Sequence, residues 1–197
     1  MTATTTPMAA LPSAGGDRPR NLLTTGVALG CAGATMFFGA LLAAYVELRG
    51  HVHPWPPKGV KLDLYLGNLL VITMLLASLA VQWAVSAVLR RDQRQASAAF
   101  AITAGFGLAF LNLLSYSASR ADYGAGSSAY AVIAATLALS VGIVVAVAIG
   151  FVILTLLRVR GSQVTADNPD QARAAAWFWH YATLASIVVW YAVVVRK

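Results

Sequence analysis

Charge is what this chain has least of. Of its 197 residues, 11% are Asp, Glu, Lys or Arg, where a soluble domain carries roughly a quarter. Hydrophobic residues make up 59% of the sequence, and the mean hydropathy is +0.71. That is more apolar surface than one core can hide, so lipid must solvate much of it. Cysteine is almost missing: Cys31 stands alone inside an apolar stretch. A single thiol excludes an intrachain disulfide, and no Cys-x-x-Cys pair is present for zinc or haem attachment. None of the seven prolines interrupts an apolar stretch, which argues against the broken helices of secondary transporters. There is no Gly-rich phosphate loop and no nucleophile with a base. Ionisable groups at membrane depth, the default functional candidates in a bilayer protein, reduce to His180. One histidine cannot hold a bis-His haem. A metal on His51-x-His53 lacks the further ligands it needs.

What is present is five apolar stretches, each long enough to cross a hydrocarbon core that takes about 20 residues of helix. They run over residues 22–48, 64–89, 96–118, 128–157 and 173–195. Barrel strands need only about 9–11 residues and alternate in polarity, and these segments do neither. Helix is then the conformation that satisfies every backbone group internally. The expected fold is an all-α, polytopic bundle of five transmembrane helices over residues 21–197. Residues 1–20, rich in Thr, Ala, Pro and Gly without helical period, read as a flexible tail rather than a secretory signal.

The net charge of +7 comes from 14 basic residues against 7 acidic ones. With no basic stripe and no interleaved aromatics, a nucleic-acid partner is not expected. The basic residues instead flank the spans. Five crossings put Arg18, Arg20, Arg90, Arg91, Arg94, Arg158, Arg160 and Arg173 on one face, and Arg49, Lys58, Lys61, Arg120, Arg196 and Lys197 on the other. The excess places the N-terminus in the cytoplasm and the C-terminus outside.

Several residues stand out locally. Glu47 and Arg49 close the first stretch, where long side chains reach the interface. Asp63 opens the second, favourably placed for the helix dipole. Trp55-Pro56-Pro57 makes a stiff, interface-seeking turn. Gly26, Gly30, Gly33 and Gly39 recur through the first stretch at spacings that allow close helix approach. His180, well inside the last stretch, needs a donor and an acceptor partner in its neutral form.

Taken in order, Met36-Phe37-Phe38-Gly39, Tyr45, Arg49 and Trp55-Pro56-Pro57 resemble the start of the conserved region of cytochrome c oxidase subunit III. Leu76-Ala77-Ser78 is similar to that family's Leu-Ala-Ser-Ser element. Phe110, Asn112 and Tyr116 lie where the family has Phe, Gln and a Glu-Tyr pair, and Trp179-His180-Tyr181 resembles its closing Trp-His-Phe motif. The resemblance covers residues 22–197 and matches the short bacterial form, which lacks the first two of seven helices. Departures are concentrated in the polar interior. Gly33 and Ala34 stand where the family has Ser-Glu, and Ser115 replaces the Glu of the Glu-Tyr pair. Leu137-Ala138-Leu139-Ser140-Val141 takes the place of His-Gly-Leu-His-Val, and Thr183 replaces the Asp after the closing motif.

The resemblance implies a chain that is not an enzyme by itself. It would be the accessory subunit III of a haem-copper terminal oxidase in a bacterial inner membrane, packed on subunit I beside subunit II. It would hold phospholipids and contribute to a complex that reduces oxygen, within a respiratory supercomplex where one forms. Haem and copper would sit in the partner subunits, with no cofactor in this chain. Tyr45, Arg49, Trp55 and Trp179 are expected as interface or lipid contacts, and Asn112, Ser115 and His180 as an interior polar set. Two other readings remain: an accessory subunit of a nitric oxide reductase of the same superfamily, and a small membrane carrier or channel.

Overall fold

The computed structural model describes residues 22–57, 60, 63–121, 124 and 126–195. The tail expected over 1–20 lies outside the described residues. Five α-helices follow one another: α1 Leu22–His51, α2 Leu64–Leu89, α3 Gln93–Ser119, α4 Ala129–Arg160 and α5 Asp170–Trp190, the last running on as a π-helical turn, Tyr191–Val195. The described residues contain no strand, only an isolated bridge between Thr165 and Asn168. Among the described residues five helices are long and apolar enough to cross a membrane, and they form an all-helical, multi-pass membrane bundle.

Four of the five helices outrun their apolar stretches. α1 continues through Arg49 to His51, α3 begins at Gln93, α4 ends at Arg160 and α5 starts at Asp170. Apolarity marks where lipid begins and ends; helix termini are set by caps and turns. Asp63 accepts from the backbone N–H groups of Tyr65 and Leu66, Asp92 from Gln95 and Ser128 from Ala131, each satisfying donors that a helix start leaves free. Ser128, expected as the first residue of the fourth span, is therefore its cap.

The α2–α3 turn is very short. The Asp92 N–H bonds to the Ala87 carbonyl and the Arg91 N–H to that of Val88, with Arg91 at φ 62°. This is a Schellman ending, and the residue that closes it immediately caps the next helix. The end of α4 repeats the pattern, with Gln163 bonding to Arg158, Ser162 bonding to Val159, and Ser162 at φ 56°. Gly161 lies one position earlier with φ −80°, so a serine rather than the adjacent glycine takes the left-handed conformation.

α2, α3, α4 and α5 build the core, and α1 leans on α4 and α5 from outside. α1 buries only Phe38 and Tyr45. In lipid, apolar surface has no incentive to leave its solvent, so close packing holds helices together. The seams are accordingly small: Ala77, Ala80, Ala84 and Ala87 on α2 and Ala172, Ala175, Ala176 and Ala182 on α5 are all buried. The glycines that matter are not those of α1. A Cβ at Gly26, Gly30, Gly33 or Gly39 would meet nothing within 4 Å, so their spacing serves no close packing among the described residues. Gly107 on α3 is the tight point: a Cβ there would stand 2.6 Å from Ile149 and 2.8 Å from the Trp179 ring.

Candidate functional site: a polar clasp and an open cleft

His180 projects from α5 toward α2. Its Nδ1 shares a 2.6 Å hydrogen bond with Ser78 Oγ, and its Nε2 lies 3.4 Å from Gln82 Oε1. One neutral tautomer satisfies both contacts: the serine hydroxyl donates to Nδ1 and Nε2–H donates to the amide oxygen. Ser78 and Gln82 are one helical turn apart on α2, which is why a single ring meets both. The next residue, Tyr181, shares a 3.3 Å hydrogen bond with the Thr35 hydroxyl of α1, which accepts it because its own proton goes to the Cys31 carbonyl at 2.8 Å. Two successive residues of α5 thereby bind two different helices. Interhelical bonds in membranes average about 0.6 kcal/mol and reach about 1.7. We expect His180→Leu and Ser78→Ala each to cost about 1 kcal/mol, and the double variant to cost no more than the worse single. A double-mutant cycle on thermal unfolding in membranes measures this, and additive losses would show that the pair does not interact.

The aromatic residues after α1 form a second unit. Tyr45 is 2% exposed; its hydroxyl accepts from Trp55 Nε1 at 3.3 Å, and the two rings meet edge to face at 5.4 Å. Trp55 in turn meets Tyr130 at the start of α4, at 5.0 Å. Tyr45 therefore faces protein rather than the outer surface of the bundle. Its role is to fasten the loop after α1 onto α4. Trp55 and Arg49 are half-buried beside it. His51 is the last residue of α1 and pairs with Glu47 one turn back, at 2.8 Å, rather than lying in a loop with His53.

The expected interior polar set does not assemble. Asn112 and Ser115 are exposed on α3, and neither is bonded to His180, whose partners come from α2. The positions where the family has other polar groups are accounted for within single helices. The hydroxyl of Thr183 donates to the Trp179 carbonyl and that of Ser140 to Thr136, while Leu137 is fully buried. Trp179 is likewise fully buried, a core residue rather than an interface anchor. Among the described residues no group of three or more His, Cys, Asp or Glu could hold a metal ion.

Between α1 and the α4–α5 pair the bundle opens into a cleft of about 1150 Å³. Leu22, Val27, Phe151, Leu154 and Phe178 make its walls apolar, and Arg158, Asp170 and Gln171 line it as well. Arg158 Nη1 donates to Gln171 Oε1 at 2.7 Å, and Gln171 Nε2 to Thr155 Oγ1 at 3.4 Å. Thr155 is fully buried and Gln171 is 8% exposed, so the guanidinium is held from behind while the cleft lies before it. In the sequence, Arg158 stands out only as a charge that sets topology. The available signal was an arginine ending an apolar helix, followed by a glutamine at the start of the next.

The family model described as cytochrome c oxidase subunit III matches residues 21–196. The chain belongs to that family. Among curated subunit III relatives, that of Thermostichus vulcanus is 29% identical over 97 residues, 49% of this chain and 48% of the relative. Those of Coturnix japonica and Gallus gallus are 30% and 31% identical over 150 residues, 75% of this chain and 56% of each relative. The chain thus spans about half the length of the curated relatives it matches. Within this subunit III fold, the Trp179-His180-Tyr181 motif lies where α5 grips α2 and α1.

Proposed function

We propose that this chain is a non-catalytic subunit of a haem-copper terminal oxidase of the cytochrome c oxidase type in a bacterial inner membrane. Its N-terminus would face the cytoplasm and its C-terminus the outside. It packs against subunit I in a complex with subunit II, seats phospholipid and prolongs the active life of the enzyme. Oxygen chemistry belongs to the partner subunits with their haem and copper. In this chain His180, the one histidine deep in a span, has both ring nitrogens engaged by α2, which favours a packing role for it over haem ligation.

The observation that carries the lipid role is the cleft under α1. Its apolar length suits acyl chains. Arg158, braced by Gln171, offers the charge-assisted donors that suit a phosphate. α1 touches the bundle so sparingly that something must fill the space beside it, and a bilayer supplies acyl chains at high concentration. The oxidase prepared without this chain should start at the same turnover per haem and lose activity several-fold sooner than the complete complex. Equal lifetimes would overturn the stabilising role, and a lower initial rate would point to a part in turnover itself.

A further inference from the structure

A second cavity, of about 150 Å³, lies inside the bundle at the Asp63 end and is bounded by α2, α3, α4 and α5. It is separate from the cleft under α1, sharing no lining residue with it. Phe110, Ala138, Val141 and Val189 make it largely apolar, and Trp190 forms part of its wall. The Trp190 indole Nε1 is buried and has no hydrogen-bond partner among the described residues. A buried donor without a partner is costly and calls for an explanation.

Three features are arranged around this indole. Gly67 makes room for it, since a Cβ there would lie 2.9 Å from Nε1. The chain widens into a π-helical turn directly after it, over Tyr191–Val195, bringing Val193 and Val194 into the lining. Such π segments are frequent at functional sites. Asp63, held at the N-cap of α2, stands at the edge and repels anions. The Ser186 hydroxyl gives its proton to the Ala182 carbonyl at 2.7 Å, and no acceptor among the described residues takes the indole N–H. An apolar cavity near 150 Å³ is about the size that accepts a benzene ring.

We infer that this cavity is a binding site for a neutral, ring-sized apolar group bearing one carbonyl or hydroxyl oxygen, which accepts the Trp190 indole N–H. Either a free small molecule or the ester-bearing part of a membrane lipid can supply that chemistry. The inference concerns only the interior of this chain and stands apart from its role in an oxidase.

The test uses the full chain in native membranes and two photoreactive probes, a cyclohexanol carrying a diazirine on its ring and the matching diazirine-bearing cyclohexane. The alcohol should label residues lining the cavity, and benzyl alcohol should compete where benzoate does not. Trp190→Phe should cut labelling by the alcohol at least fivefold and leave that by the alkane unchanged. Ala138→Phe should abolish both. Resistance to limited proteolysis in membranes, compared with the parent, reports that each variant is folded; should Ala138→Phe fail there, Val193→Phe blocks the same space. Mass spectrometry of the gently purified protein separates the sources. A phospholipid retained by the parent and lost in the blocked variant identifies lipid, and its absence together with competed labelling identifies a free molecule. Labelling spread evenly over lipid-facing residues, or an equal response of both probes to Trp190→Phe, would overturn the inference.

Discussion

Trp179→Ala should loosen the whole bundle. The indole is the largest fully buried side chain, packed where α3 comes so close that only glycine fits at position 107. Truncating a buried Trp in a soluble core costs about 3–5 kcal/mol, part of it transfer and part the cavity left behind. Here the transfer part is small, because separated helices would still rest in lipid. The cavity part remains, giving about 3 kcal/mol, which by the 1.4 kcal/mol-per-decade rule is roughly a hundredfold in the open-to-packed ratio. Limited proteolysis in membranes should show the α4–α5 connection cut far faster than in the parent. Trp179→Phe, which keeps most of the volume, should recover most of the resistance. If Ala and Phe behaved alike, the packing account of this motif would fail.

The second large effect concerns Arg158. Arg158→Leu removes the donor to Gln171 Oε1 and leaves that amide oxygen without its partner in a position 8% exposed. A stranded buried polar group costs about 1–3 kcal/mol. The larger consequence is for the cleft, which keeps its apolar walls and loses its guanidinium. Phospholipid counted after mild detergent extraction should fall by at least one molecule per chain, and turnover lifetime should shorten several-fold. Arg158→Lys separates the two roles: it keeps the charge but not the planar fork, so lipid should be largely retained. An unchanged lipid count in Arg158→Leu would remove Arg158 from the lipid role.

The sequence was most legible where physics is local and periodic. Runs of apolar residues marked five helices because a bilayer leaves few alternatives. Asp63 announced itself as a helix start, and His180 as a residue needing two partners. Which residues would supply those partners was not visible. Ser78 and Gln82 lie about a hundred positions earlier, and only the rotation of α2 against α5 brings them to one ring. Asn112 and Ser115 illustrate the converse. Family position suggested an interior, yet α3 turns them outward, and nothing in the local sequence reports helix rotation when small and apolar residues occupy every face. Tyr45 looked like an interface anchor for the same reason. Its burial depends on Trp55 and Tyr130 arriving from elsewhere. The α1 glycines carried a packing signature, but the packing occurs at Gly67 and Gly107, whose neighbours come from other helices.

The uncovered surface of α1 leaves room for a partner. Exposed Leu29, Met36, Phe37 and Val46 suit either lipid or another subunit, and the proposal gives the chain a catalytic partner. Affinity purification of the chain from its native membranes under mild detergent, with a reduced-minus-oxidised spectrum and mass spectrometry of what accompanies it, tests this most directly. The account predicts haem bands together with a large polytopic oxidase subunit, in constant ratio to this chain. A colourless preparation containing the chain alone would contradict it.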